Sequence, residues 1–557
     1  MRNHVNRDRI GPIRRGPSVL LLIIFLFGVP PLGGSEEDRL KTELRTEANS
    51  VVTVTLNLKE TAQPIRNIGA SGCWYSENIG RYWPEAKKER IAELLFSREL
   101  DASRSPRGIG LSAWRFNIGG GTAEQGQASG IRDADRRVEC FLDADGNYDW
   151  SKQAGYVWFV KQAQAYGVED LIAFSNTPPV FFTQNGYGFK TDRDVLSNLR
   201  PDKVVAFAEF LAAVVKHFDE QGLHFDYLSP VNEPQWDWSN TPGRASQEGC
   251  PWQNEEIHRL VKALDEALTK TRQNAKILLP EAARLDFLYK QDVPEADLGK
   301  SRQIAAFWSP NNPLYLGGFS HVCRYVAGHS YFTDNGDGQL LSTRRDLAQA
   351  IARTDQNLEY WQSEYCLLGN GYRDGRRGRP SEMDHALFLA KVIHHDLVVG
   401  QATAWHYWNA YEPGRASSPR YYLIALTPDS DRRDGQFAAT KCLWALGHYS
   451  RFVRPGMKRL VVARSDGLSD EQAAQQVMIS AFADEQTGKA VVVIVNYRDA
   501  DVTLDIDATG FPASASAQKP VVYTTSATSD ENMKARPLDS LDSEVVCAPR
   551  SIMTVTF

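Results

Sequence analysis

The chain has 557 residues, 42% of them hydrophobic and 24% charged, and its 63 basic against 69 acidic side chains leave a net charge of −6. That balance lacks the basic excess of a nucleic-acid binder, and the ordinary charged fraction excludes wholesale disorder, collagen and a polytopic membrane protein. A water-soluble enzyme or binder remains, with length for about two to four domains or one large barrel and a companion. Thirteen Trp, 21 Tyr and 24 Phe suit either a large core or a surface on which sugar rings stack.

Residues 1–35 are expected to be a signal peptide. Arg2, Arg7, Arg9, Arg14 and Arg15 precede an apolar run from Val19 to Val29, followed by Pro30, Pro31, Gly33, Gly34 and Ser35. Basic, apolar, small is the order of a secretory signal, and the run is shorter than the about 20 residues of a membrane span. A secreted or periplasmic protein with no membrane partner after signal removal is expected; a retained signal anchor is the alternative. The seven cysteines show no CxxC and no metal-ligand spacing. They read as buried small hydrophobes, with one disulfide conceivable in an oxidising compartment.

Next, Val51-Val-Thr-Val-Thr-Leu-Asn-Leu58 alternates β-branched and polar residues as a half-exposed strand does. From residue 64 short apolar runs alternate with stretches of helical period. The predicted strands are Ile65–Ala70, Leu111–Asn117, Asp170–Ser175, Phe225–Val231, Lys276–Pro280, Tyr325–His329, Glu359–Glu364 and Ala402–Trp408. Between them, residues 252–273 carry Ile257, Leu260, Val261, Leu264 and Leu268 on one helical stripe, and residues 201–220 read alike. Eight strand-then-helix units point to an α/β fold, a (β/α)8 TIM barrel over residues 64–450, with Asp434 to Tyr449 as its last helix. Beyond it the texture turns to strands: Gln476–Ala483, Ala490–Asn496, Val502–Asp507, Pro520–Thr525 and Val545–Phe557. Residues 451–557 are therefore expected to form an all-β sandwich, joined by the N-terminal strand within 51–63 because that strand needs partners.

In such a barrel the chemistry lies at the C-terminal strand ends. The fourth predicted strand ends in Ser229-Pro-Val-Asn-Glu233-Pro, the seventh in Gln362-Ser-Glu364. Two glutamates thus close strands on opposite sides of the barrel mouth, where they can flank one bond. Glycoside hydrolysis requires that arrangement: one carboxylic acid to protonate a poor leaving group, one carboxylate to meet the positive charge at the anomeric carbon. Glu233 is assigned as acid/base and Glu364 as nucleophile. Glu281 and Asp237 are competing carboxylates, expected to contact substrate or loop backbone. A separation of about 5–5.5 Å would give retention and about 6.5–9.5 Å inversion.

The segments Arg115-Phe-Asn-Ile-Gly-Gly120, Ser229-Pro-Val-Asn-Glu-Pro234, His329-Ser-Tyr331, Gln362-Ser-Glu364 and Tyr449-Ser-Arg-Phe-Val-Arg-Pro-Gly456 resemble glycoside hydrolase family 30. Asn232-Glu-Pro-Gln-Trp-Asp-Trp238 with Gln247-Glu-Gly-Cys-Pro-Trp252 is most similar to its endo-β-1,6-galactanase branch. The resemblance covers about residues 50–557. It implies a retaining mechanism with no metal or organic cofactor, and a polysaccharide or oligosaccharide as partner. It further implies substrate-binding roles for Arg115, Asn176, Asn232, His329, Tyr331 and Trp408. Asn232 would hold the sugar 2-hydroxyl; Arg115 and Tyr331 would lie beside Glu364 and favour its charged form; Trp408 would offer a ring face at the cleavage point. Asn176 stands where many relatives carry Trp. The same machinery could cut β-1,6-glucan, xylan or glucosylceramide, and a catalytically silent carbohydrate-binding protein is the alternative from another class.

Overall fold

The computed structural model describes residues 51–374, 378–509, 511, 519–541 and 543–557. The expected signal segment lies outside them. The strands in chain order are β1 Val52–Pro64, β2 Asn67–Ser71, β3 Ala113–Ile118, β4 Asp170–Ser175, β5 Tyr227–Ser229, β6 Lys276–Ala282, β7 Val322–His329, β8 Glu359–Tyr365 and β9 Ala402–Tyr407. Strands β2 to β9 close in sequence order into an eight-stranded barrel, and all its pairings are parallel. Each strand matches one of the eight predicted runs. Helices fill the connections; that over Asn254–Thr271 starts with a capping box between Gln253 and Glu256, which satisfies backbone donors otherwise left free in its first turn.

The barrel interior is built in layers. At one level Ala113, Ile172, Leu278, Ala327, Trp361 and Ala404 form a closed apolar cluster, the small alanines leaving room for the Trp361 ring and for Tyr325 stacked 4.6 Å from it. Because strand side chains repeat every second residue, the next inward positions toward the strand ends are Arg115, His329, Ser363 and His406. An apolar plug thus carries a polar floor, and the candidate site rests on that floor.

Three more strands follow: β10 Tyr411–Pro413, β11 Ile424–Pro428 and β12 Gly435–Ala439, forming a small sheet. The predicted last helix is corrected here. Gly435–Ala439 pairs antiparallel with β11, and the helix spans Lys441–Ser450, opened by the Thr440 side chain accepting from the Leu443 amide.

Strands β13 Lys458–Arg464, β14 Val477–Ala483, β15 Ala490–Asn496, β16 Val502–Asp507, β17 Val521–Thr525, β18 Lys534–Pro537, β19 Val545–Cys547 and β20 Ser551–Thr556 join β1 in a nine-stranded sheet ordered β18-β17-β20-β15-β14-β13-β1-β16-β19. The predicted strand over 545–557 is two strands with different neighbours. In β15, Val492 and Ile494 join a core shared with Val54, Leu504, Val545 and Val555, so the sheet folds over as a sandwich. The alternate residues Val491, Val493 and Val495 join the barrel core instead. Burial on both faces explains the unbroken Val-Val-Val-Ile-Val run, each buried side chain being worth about 1.5–3 kcal/mol. His448 of the barrel bonds Thr554 at 2.8 Å and Thr525 at 2.9 Å, tying the two parts together.

All seven cysteines, which lie among the described residues, are buried and free. No described helix is long and apolar enough to cross a membrane.

Candidate active site

Glu233 follows β5 with φ +46°, in the left-handed region, and its amide donates to the Glu281 carbonyl at 2.9 Å. A non-glycine residue held there is costly and persists only where its surroundings fix it. The brace is Trp238, whose Nε1 donates to the Glu233 carbonyl at 3.1 Å. Trp238 in turn packs on Gly249, where an added Cβ would meet its ring at 2.2 Å.

Glu364 would face away from Ser363 in a regular strand. The register of β8 slips between its neighbours, Gly328 pairing with Gln362 but His329 with Glu364. Such a bulge re-aims a side chain. Both residues then serve one cluster: Ser363 bonds Glu281, and Glu364 points to the cavity. Glu281, with φ +54°, leaves the regular phase of β6 in a similar way.

The Glu364 carboxyl is fixed at both oxygens, by Arg115 Nη1 at 2.7 Å and by the Tyr331 hydroxyl at 3.0 Å. The nearest ligand-type atoms of Glu233, His329 and Glu364 all lie within 4.8 Å of one another. His329 Nδ1 stands 3.0 Å from Glu233 Oε1 and 3.6 Å from Glu364 Oε1, and its Nε2 3.2 Å from Glu281 Oε2. Arg115 Nη2 lies 3.6 Å from Glu281 Oε1.

These neighbours set the protonation pattern. Burial acts against a charged His329, yet Glu364, Glu233 and Glu281 outweigh it and raise the imidazole to about 10. Burial acts upward on Glu281, but Arg115, His329 and Ser363 hold its carboxyl down at about 2. Glu233 goes the other way: burial lifts it above the ordinary glutamate range, opposed by His329 and reinforced by Glu364. One carboxyl pushed by burial toward its neutral form beside another that is paired with Arg115 is the asymmetry an acid and a nucleophile require. Glu233, His329 and Glu364 are residue types that can bind a metal, and His329 Nδ1 faces both glutamates, at 3.0 and 3.6 Å.

Above this floor opens a cavity of 510 Å³. Of the predicted site residues, Asn232, Glu233, Tyr331, Glu364 and Trp408 line it. Arg115, Asn176 and His329 stand beneath its wall, fully or almost fully buried. They touch the residues that line it: Arg115 lies beside Glu364 as expected, while Asn176 and His329 reach the cavity through Asn232 and Glu233. Asn176 accepts from Asn232 Nδ2 at 3.0 Å and donates to Asn117 Oδ1 at 3.3 Å, leaving Asn232 Oδ1 without a protein partner. Trp408 meets Trp74 edge to face at 5.2 Å. Glu281 reaches no substrate position; it is the buried counter-ion of Arg115 and His329. Asp237 is exposed and does not line the cavity. Sequence reasoning missed Trp74, Arg136 and Phe332, which lie in connections with no periodic signal, and Glu412, which sits in the three-residue strand β10, too short to show one.

The model of O-glycosyl hydrolase family 30 matches residues 51–419. The chain belongs to that family. It is 32% identical to a conserved exported protein from Bacteroides fragilis of known structure, covering 91% of this chain and 100% of the other with a TM-score of 0.83. Among characterised relatives it is 26% identical over 243 residues to an exo-β-1,6-galactobiohydrolase of Bifidobacterium longum subsp. longum, covering 35% of this chain and 16% of the other. It is 21% identical over 308 residues to glucuronoxylanase XynC of Bacillus subtilis, covering 55% of each. The family 30 chain thus spans less than two thirds of either characterised relative.

Proposed function

We propose that this family 30 protein is a secreted, retaining glycoside hydrolase that cuts within β-1,6-linked galactan, such as the side chains of arabinogalactan. The observation that carries the reading is the pair Glu233 and Glu364 facing one cavity with atoms within 4.8 Å of each other. That short gap suits direct attack by a carboxylate better than the wider gap that admits a water between two carboxyls.

In the first step Glu364 Oε attacks the anomeric carbon while Glu233, kept protonated by burial, donates its proton to the glycosidic oxygen, and the leaving sugar departs as an alcohol. In the second, the ionised Glu233 takes a proton from water, which displaces Glu364 and restores the starting protonation. Arg115 and Tyr331 hold the nucleophile's plane, and Asn232 Oδ1 is free to accept from the sugar 2-hydroxyl.

Three supports favour galactan: the Asn232–Trp238 and Gln247–Trp252 motifs, the similarity to a β-1,6-galactobiohydrolase, and an aromatic cavity suited to sugar rings. The basic, apolar and small-residue order of residues 1–35 supports export. The test is product analysis on de-arabinosylated arabinogalactan, with β-1,6-glucan, xylan and glucosylceramide as comparison substrates. Release of a ladder of galacto-oligosaccharides is expected. Action on glucosylceramide alone, or binding without turnover, would overturn the reading.

A further inference from the structure

The cavity has two chemically different ends. Loops after β5 and β7 supply Trp236, Phe332 and, from the segment after β8, Leu368; Phe332 and Leu368 are exposed, and none of the three is charged. Connections after β2, β3 and β9 supply Trp74, Arg136, Trp408 and Glu412. Arg136 Nη2 stands 3.5 Å from Glu412 Oε1, the guanidinium carbon lies 4.3 Å over the Trp74 ring, and Asn409 Nδ2 donates to the same Oε1 at 3.1 Å. Both contacts on Glu412 fall on one oxygen. The two side chains keep 31% and 12% of their exposure, so the pair is partly desolvated yet open to the cavity.

Resting on the glycosidase reading above, the direction of the substrate follows from the acid. The leaving sugar departs past Glu233, which belongs to the β5 side, so the apolar end takes the leaving group. The chain of sugars retained on Glu364 extends toward β9 and β2, where the charged pair stands.

We infer that Arg136 and Glu412 form the recognition wall for the sugar next to the reacting one on its non-reducing side, and that their balanced charges select a neutral hexose there over a uronic acid. A neutral pyranose offers adjacent hydroxyls, one to donate to the free Glu412 oxygen and one to accept from Arg136. A uronate would bring its carboxylate against Glu412, a like-charge contact in a site poorly screened by water. Burial pushes the Glu412 carboxyl upward, and Arg136 and Asn409 oppose it in part.

The test compares kcat/KM of the full chain on β-linked aryl oligosaccharides whose non-reducing sugar is either galactose or a uronic acid. The neutral-to-acidic ratio should fall about tenfold in Glu412→Gln, which unmasks a cation, and rise in Arg136→Gln, which unmasks an anion. Mere damage to the loops would move both variants the same way. Ratios that move together, or that stay within about twofold, would overturn the inference while leaving the glycosidase reading intact. A wild-type chain inactive on every member would overturn both.

Discussion

His329 Nδ1 stands 3.0 Å from Glu233 Oε1 on a ring with no solvent exposure. The imidazole also faces Glu364 and Glu281, so the histidine works as a buried cation among three carboxyl groups. With Glu233 protonated, the cations Arg115 and His329 balance the carboxylates Glu281 and Glu364. That balance allows five ionisable groups to share a desolvated floor, where an unmatched charge would cost several kcal/mol.

Replacing His329 by Asn removes a charge that pulls the Glu233 proton affinity down. The expected outcome is a fall in kcat/KM of about a hundredfold, with the alkaline limb of the pH profile moved to higher pH. Wild type should already show that limb above the ordinary glutamate value of 4.5. A limb that moves to lower pH in the variant would contradict the assignment of Glu233 as the acid.

Glu281 is predicted to govern stability more than chemistry. Its folded carboxyl is held down at about 2 from 4.5, so its contribution is present above pH 4.5 and lost as pH falls through about 2. His329, raised from 6.5 to about 10, contributes fully below pH 6.5 and loses that contribution as pH rises through about 10. Glu281→Gln leaves two buried cations short of a partner and should cost about 3–5 kcal/mol in urea unfolding at neutral pH. A loss under about 1 kcal/mol would show that the ion cluster does not depend on it.

Gly249→Ala tests the brace on the acid. The new methyl would meet the Trp238 ring at 2.2 Å, displacing the indole whose Nε1 holds the Glu233 carbonyl. Overpacking of this kind costs about 1–3 kcal/mol, and kcat should fall about tenfold or more because the acid is misplaced. Unchanged kcat with lowered stability would confine Gly249 to packing.

Much of the fold was readable because its strands are bounded, apolar and separated by clear helical stripes. The eight runs from Ile65 to Trp408 each became a barrel strand, and β15 could be placed because Val491 to Val495 is buried on both faces. Where local structure breaks the period, reading failed. The segment Gly435–Ala439 pairs with β11 although its composition permits helix, and only Thr440 marks the true helix start. Glu233 and Glu364 were found from their place at strand ends. The ion-holding part of Glu281 was not, because its left-handed backbone takes it out of the strand's alternation. The Arg136 and Glu412 pair, far apart in sequence, is created only when the segment after β3 meets strand β10.

The central claim is that Glu364 becomes covalently bonded to the sugar while Glu233 moves the proton. Its most direct test is to treat the protein with a 2-deoxy-2-fluoro-β-glycosyl fluoride, which slows breakdown of the intermediate, and to map the modified peptide by mass spectrometry. The account predicts one sugar ester on the peptide bearing Glu364, absent in Glu364→Gln, with the first-formed product of the natural reaction in the β configuration. An ester on Glu281 or Glu412, or an α product appearing first, would contradict it.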